Sequence, residues 1–294
     1  MHLCHYEDHA ESFEPLTLTR PVFDLRCGLA TLGEKQRRYF GATHVSVIVR
    51  PTLAEWYARA HPDWTVNGEG NIPGDDLVLV NGRWLPPTGS FARPESACVG
   101  FAGDQIAYVY LPRAELGAIE LATLLRHSLE TAPHQDAGGT LVSYPWDLVA
   151  LNGDEITRDL AGRCLHENTH ADRPIVLIGP RENVWIAPTA RVEPLVAIDA
   201  TRGPVVIDEG AVVTAFTRLE GPCWIGPHAH VLGAKIRART TIGPHCRVGG
   251  EVEASILHGY SNKYHEGFLG HSYVGEWVNL AAGTHNSDLR NDYG

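Results

Sequence analysis

The sequence predicts two domains of different class, an α/β layered domain followed by a parallel β-helix built from hexapeptide repeats. Three observations carry this prediction. Apolar residues recur at every sixth position across the C-terminal third, β-branched runs alternate with a helical pattern before it, and 294 residues exceed the usual span of one domain.

The repeat is the strongest signal. Ile207, Val213, Leu219, Ile225 and Val231 fall at a strict spacing of six, Ile186, Val192 and Ile198 form an earlier run, and Ile242 with Val248 and Val274 with Leu280 continue it. Neither the helical period of 3.6 nor the strand period of 2.0 produces that spacing. Small or polar residues follow the apolar one, as in Ile207-Asp-Glu-Gly and Ile225-Gly-Pro. This reads as a triangular prism with three short strands per turn, in which each apolar residue points inward and stacks on its counterpart one coil away, and the corners bend tightly. Three extra residues between Ile198 and Ile207 fit a corner loop. Residues 251–273, between Val248 and Val274, are expected to leave the prism as a long loop, the kind of segment that carries function.

In the first part, THVSVIVRP (residues 43–51) and DDLVLVNGRW (75–84) read as buried parallel strands, and AELGAIELATLLRHSLE (114–130) has helical apolar spacing. A helix over 146–160 is expected to close this domain, with Tyr144 and Trp146 as core or domain-interface packing rather than partners of a functional Asp147. The polar, aperiodic LHENTHADR (165–173) marks the boundary. The domains are therefore expected at residues 1–164 and 184–294, joined by a linker and entry segment at 165–183.

A net charge of −11 argues against a polyanion partner, so nucleic acid is excluded. The start, MHLCHYEDHAESFEP, lacks a basic segment followed by an apolar one, and nowhere do eighteen apolar residues run together. The reading is a cytoplasmic protein with no membrane partner. Six cysteines without a C-x-x-C pair fit reduced, buried thiols. Cys4, His5 and His9 lie close together, but among sixteen histidines such a cluster carries little signal for a metal.

At residues 15–35, PLTLTRPVFDLRCGLATLGEK, the chain resembles sugar-phosphate nucleotidyltransferases, in which a Gly-rich loop is followed by a PLT-x-x-RP-type segment. The resemblance implies a Rossmann-like first domain with Arg20, Arg26 and Lys35 at nucleotide phosphates. It also puts Asn81 and Gly82 where the family often has a Gly-Asp serving Mg2+. The plain alternative is that Arg20 and Arg26 pin a loop to carboxylates such as Asp24 and that Lys35 is solvated. Two departures stand out: EDHAESFE (7–14) replaces the Gly-rich loop, and Val22 follows Arg20-Pro21 where those enzymes usually carry Lys.

HEGFLGHSYVGEWVNLAAGTHNSD (265–288) resembles the acetyltransferase loop and following coil of the bifunctional UDP-N-acetylglucosamine pyrophosphorylase/glucosamine-1-phosphate N-acetyltransferase family. The left hand of the β-helix is what the resemblance of its repeats to hexapeptide-repeat proteins implies. The likeness of residues 265–288 places His265 on the family's catalytic His, Asn279 on a substrate-contacting Asn and Ala282 on the residue whose backbone N–H faces the oxyanion. Lys263 is the nearest candidate for a phosphate-holding cation. Phe268 stands where a Tyr hydroxyl would contact substrate, and Ala281 replaces a Gly. A His suits the role because attack by an amine on a thioester needs a base that titrates near neutral pH; the plain alternative is a solvent-exposed loop His.

The resemblance implies acetyl-CoA as co-substrate, a sugar phosphate and UTP or a UDP-sugar as ligands, and a homotrimer. The family continues through further coils after the catalytic one whereas this sequence stops at Gly294, so a chain cut short at its C-terminus is expected. Two classes of function stay open: acetyl and uridylyl transfer in amino-sugar nucleotide synthesis, or a catalytically degenerate nucleotide-sugar-binding or assembly module.

Overall fold

A computed structural model describes residues 1–68, 75–116, 121–161 and 175–287. It divides into two compact units, one made of Met1–Leu25 with Thr31–Tyr144, the other of Arg26–Ala30 with Pro145–Gly294.

Unit one is built on a mixed sheet. In chain order its strands are β1 (His2–Tyr6), β2 (His44–Ile48), β3 (Thr65–Val66), β4 (Leu77–Asn81), β5 (Cys98–Ala102), β6 (Gln105–Leu111) and β7 (His134–Asp136). They stand side by side as β7-β5-β6-β4-β1-β2-β3. β3, β2, β1 and β4 run parallel, as their continuous apolar sequences predict, while β6 is antiparallel to both its neighbours. Alternate residues feed different layers: Leu3, Val78 and Val80 pack with Phe40, and Cys4, Leu77 and Leu79 pack with Val99 and Leu111.

Helix α1 (Leu32–Phe40) opens with a reciprocal capping box between Thr31 and Glu34 and closes at Gly41, whose φ of 59° is the left-handed turn glycine accepts. The expected strand over 43–51 stops at Ile48 because Pro51 begins helix α2 (Pro51–Ala60). The expected helix over 114–130 is a single turn at Arg113–Glu115 followed by α3 (Leu121–Thr131); residues 117–120 lie outside the described residues.

Unit two is the predicted β-helix of hexapeptide repeats, with walls of six, six and five parallel strands. On the second wall Ile186, Ile207, Ile225, Ile242, Leu257 and Val274 stack in register and are buried. The six-residue period is one wall per repeat, so Ile207, Val213, Leu219, Ile225 and Val231 occupy the second, third, first, second and third walls in turn. The extra residues after Ile198 form the corner before Val205–Ile207, as expected.

Three expectations are corrected. The β-helix is entered at Val176–Ile178, which pairs with Ala197–Asp199, and not at 184. Residues 251–273 do not leave the prism: Glu251–Glu253, Ile256–Leu257 and Asn262–Lys263 form a regular fifth coil, and Phe268–Gly270 and Tyr273–Val274 open a sixth. Their inward residues are Val252, Leu257, Lys263, Leu269 and Val274, at intervals of five or six, and the lysine in an apolar slot hides the repeat. Finally, α4 (Pro145–Leu160) packs with the β-helix, so the division by packing falls between Tyr144 and Pro145 rather than at 164. Its apolar stripe, Ile156 and Leu160, covers Val206 and Trp224 on the outside of the second wall. Asn152 joins it by donating to the Arg239 carbonyl at 2.9 Å and accepting from Thr241 Oγ1 at 3.0 Å. Tyr144 and Trp146 are 44% and 63% exposed, so neither is core.

Cys4, Cys27, Cys98, Cys223 and Cys246 are buried thiols, in line with their spacing; Cys164 lies outside the described residues. Among the described residues no helix is long and apolar enough to cross a membrane.

Candidate functional site

The carboxyl ends of the central strands in unit one hold an ionic network, in which Arg83 Nε and Glu7 Oε1 are buried without a hydrogen-bond partner among the described residues. β1 runs into Glu7 and Asp8, and β4 runs into Asn81, Gly82 and Arg83. Arg83 is 2% exposed and donates to Asp8 Oδ2 at 2.6 Å, Gln105 Oε1 at 2.9 Å and the Val142 carbonyl at 3.0 Å. Asn81 Nδ2 donates to the same Asp8 oxygen at 3.0 Å, and its Oδ1 accepts from the Arg83 N–H at 3.0 Å. Partial burial works to raise the Asp8 carboxyl, but the hydrogen bonds from Arg83 and Asn81 prevail and hold it below the usual range. Glu7 Oε2 accepts from Arg50 Nε at 3.2 Å and from its backbone N–H at 2.9 Å. Gly82 permits the close approach: its N–H donates to the Tyr6 carbonyl at 2.9 Å, and a Cβ would lie 3.0 Å from that oxygen and from the Phe23 ring.

Residues 7–14, which stand in place of a Gly-rich loop, wind into a 3-10 turn at Ala10–Phe13. Its Ser12 and Glu14 N–H groups donate to the His9 and Glu11 carbonyls, so they are turned inward rather than toward a phosphate.

Of the cations expected at phosphates, Arg20 and Lys35 belong to unit one. Arg20 accepts at its carbonyl from Arg50, and Lys35 is 7% exposed on the inner face of α1, which also removes the reading of it as solvated. Arg26 belongs to unit two. There its Nη1 donates to the Leu29 carbonyl at 2.6 Å, its Nε to the His258 carbonyl at 3.3 Å, and its guanidinium lies 5.1 Å from the Trp224 ring centre.

Asn81 offers a carboxamide already bound to Asp8, and among the described residues no group of three His, Cys, Asp or Glu is placed to share a metal. Asn81 thus supplies a carboxamide rather than a carboxylate at this position. His5 stacks on Phe23 at 4.9 Å and bonds Gln36 Oε1 at 2.8 Å, with burial pushing its pKa down to about 4.

In unit two the fifth and sixth coils bring three of the expected residues together. Asn262 bridges Asn279, the Leu280 N–H donates to the Asn262 carbonyl at 2.8 Å, and the Gly283 N–H donates to the Glu266 carbonyl at 3.0 Å. Asn279 and Ala282 thus lie directly on the strand and corner that carry His265. The His265 side chain is exposed against the Tyr264 ring at 5.2 Å and has no hydrogen bond among the described residues. Asn279 Oδ1 accepts from Asn262 Nδ2 at 2.7 Å, which leaves the Asn279 Nδ2 group as a donor. The Ala282 N–H makes no hydrogen bond among the described residues.

Lys263 does not match its expected role. It is 2% exposed, with Nζ donating to the Gly249 carbonyl at 3.1 Å and the His265 carbonyl at 3.0 Å, so it faces the prism interior rather than a substrate phosphate. Burial pushes its pKa down, against the pull of Glu266. The Phe268 ring lies over Gly270, where a Cβ would stand 2.6 Å from it, and the Phe268 N–H donates to His285 Nδ1 at 3.2 Å. A cleft of about 310 Å³ adjoins them, lined by Lys235, Glu251, Glu266, Phe268 and His285.

Sequence reasoning missed His285 and a buried polar group. His258, 4% exposed, bonds the Tyr273 hydroxyl at 2.9 Å through Nδ1 and stands 3.5 Å from Glu276 Oε1 through Nε2; the Arg26 N–H donates to that hydroxyl at 2.7 Å. The available signal was Leu257, which is followed by His258 as Ile225 and Ile242 are followed by Gly226 and Gly243.

Residues 3–164 match the family model described as sugar nucleotidyl transferase. The chain is also similar to three bifunctional GlmU proteins. That of Rippkaea orientalis is 38% identical over 64 residues, 21% of this chain and 13% of the relative. That of Gloeothece citriformis is 40% identical over 77 residues, 25% and 16% respectively, and that of Trichormus variabilis 32% over 119 residues, 38% and 25%. The matched segments span no more than a quarter of these relatives. With the family match running over more than half of its residues, the chain belongs to the sugar nucleotidyl transferase family, as a divergent GlmU-like member.

Proposed function

We propose that this protein acts in the cytoplasm in amino-sugar nucleotide synthesis, and that its β-helix transfers an acetyl group from acetyl-CoA to the amine of an amino-sugar phosphate such as glucosamine 1-phosphate. The observation that supports it best is that His265, Asn279 and Ala282 meet on adjoining coils, each with a hydrogen-bonding group left over. The amine nitrogen bonds the thioester carbon while His265 takes the amine proton. The tetrahedral oxyanion accepts from the Ala282 N–H, and the intermediate collapses with loss of the CoA thiolate, which takes up a proton. Asn279 Nδ2 donates to an oxygen of the sugar phosphate and orients it. Release of CoA thiol in the presence of acetyl-CoA and glucosamine 1-phosphate, compared between wild type and His265→Gln, tests this directly.

For unit one the resemblance implies uridylyl transfer yielding UDP-N-acetylglucosamine. A specific observation favours the second reading, nucleotide-sugar binding without turnover: Asp8, Asn81 and Arg83 bond one another at the strand ends. Calorimetry with UDP-N-acetylglucosamine, run beside a pyrophosphate-release assay with Mg2+, separates the two. Binding with release at background supports the module, and release above background supports transfer. A homotrimer with prisms packed about a threefold axis completes the proposal; a monomer mass by light scattering at micromolar concentration would remove it.

A further inference from the structure

Lys263 is the fifth member of an otherwise apolar column. On the third wall Val192, Val213, Val231 and Val248 stack in register, and Lys263 pairs with Val248. A buried ammonium is unfavourable without compensation, and a fifth valine would fill the slot without that penalty. Among the described residues no carboxylate forms an ion pair with it. The compensation is two main-chain carbonyls, Gly249 at 3.1 Å and His265 at 3.0 Å.

The corner that follows differs from its counterparts. Between Val192 and Ala197, and between Val213 and Arg218, the chain turns through a left-handed residue, Leu195 (φ 66°) or Phe216 (φ 65°). The corner of residues 264–267 has the same length, but its positive φ falls at Gly267 (143°), one position later. It also sits on bare backbone: a Cβ at Gly249 would lie 1.9 Å from the Tyr264 carbonyl oxygen, and one at Gly250 3.1 Å from that of His265. The glycines let the corner approach, and the lysine takes hold of it from inside.

We infer that Lys263 is the positioning residue for His265, fixing its carbonyl from within the prism and thereby the direction in which the imidazole leaves the backbone. This rests on the reading of His265 as the base. Its signature is opposite to that of an ordinary core residue: removing the lysine stabilises the prism while impairing the site.

The test compares wild type with Lys263→Val, which repeats the residue of the four preceding coils, and Lys263→Met, which keeps the length of the side chain without its charge. Both variants are expected to melt at or above the wild-type temperature. Amide exchange in residues 264–267 should quicken, the His265 imidazole resonances should shift, and kcat should fall about ten- to hundredfold with KM nearly unchanged. Unchanged exchange and imidazole resonances in both variants would overturn the inference. So would a lower melting temperature with the corner unaltered, which marks a residue of stability alone. If wild type transfers no acetyl group the proposed activity fails, while exchange and the imidazole spectrum still decide what Lys263 holds.

Discussion

The strand ends of unit one and the fifth and sixth coils of unit two both gather polar residues, and they treat them in opposite ways. At the strand ends Asp8, Asn81, Arg83 and Gln105 bond one another. On the coils His265, the Asn279 Nδ2 and the Ala282 N–H keep their capacity. A network whose members satisfy one another contributes stability and a fixed shape, but has little left for a substrate. Groups held in place with donors or acceptors to spare can change partners along a reaction. Charge density alone does not distinguish the two regions; at the strand ends the polar atoms left over, Arg83 Nε and Glu7 Oε1, are buried, whereas on the coils His265, Asn279 and Ala282 are exposed.

The largest effect that sharpens this contrast is at His265. His265→Gln should lower acetyl transfer by about 10²–10⁴-fold while leaving melting temperature and sugar-phosphate binding near wild type; full activity between pH 6 and 9 would break the contrast on the coil side. Next is Asp8→Ala, which strands the buried Arg83 and should destabilise unit one by about 2–3 kcal/mol, read from denaturant unfolding. A neutral result there would mean that the strand-end bonds contribute little to stability. Asn279→Ala should raise KM for the sugar phosphate by about tenfold, with a smaller change in kcat, since it orients and moves no proton.

The smallest effect near neutral pH belongs to His5, and it grows with acid. Its folded pKa of about 4 lies below the unfolded value near 6.5, so the unfolded chain takes up a proton first as pH falls. The stability contributed by the neutral ring is fully present above pH 6.5 and is lost as pH falls toward 4. His5→Gln should flatten the melting temperature against pH over that window, and an unflattened curve would assign the titration to another group.

The repeats were legible because each wall repeats an inward apolar residue, which leaves a six-residue signature in a single sequence. The fifth coil was not, since Lys263 occupies a slot that the period demands be apolar, and intervals of five replace some of the sixes. The same substitution that concealed the coil carries the inference about the His265 corner. In unit one the strands were legible from their β-branched runs. The ion network was not, because the pairing of Asp8 with Arg83 depends on the register that sets Tyr6 beside Asn81. The apolar stripe of α4 announced a helix but not which surface it covers, and Arg26 likewise read as a phosphate ligand until its partners on the β-helix were seen.

An amino-sugar phosphate bound on the fifth and sixth coils, as proposed, would leave the strand ends of unit one untouched. Amide exchange with and without glucosamine 1-phosphate tests it most directly. Added protection is expected over residues 262–287, with unchanged exchange at residues 5–10 and 79–85; protection confined to the strand ends, with the coils unaffected, would contradict binding on the coils.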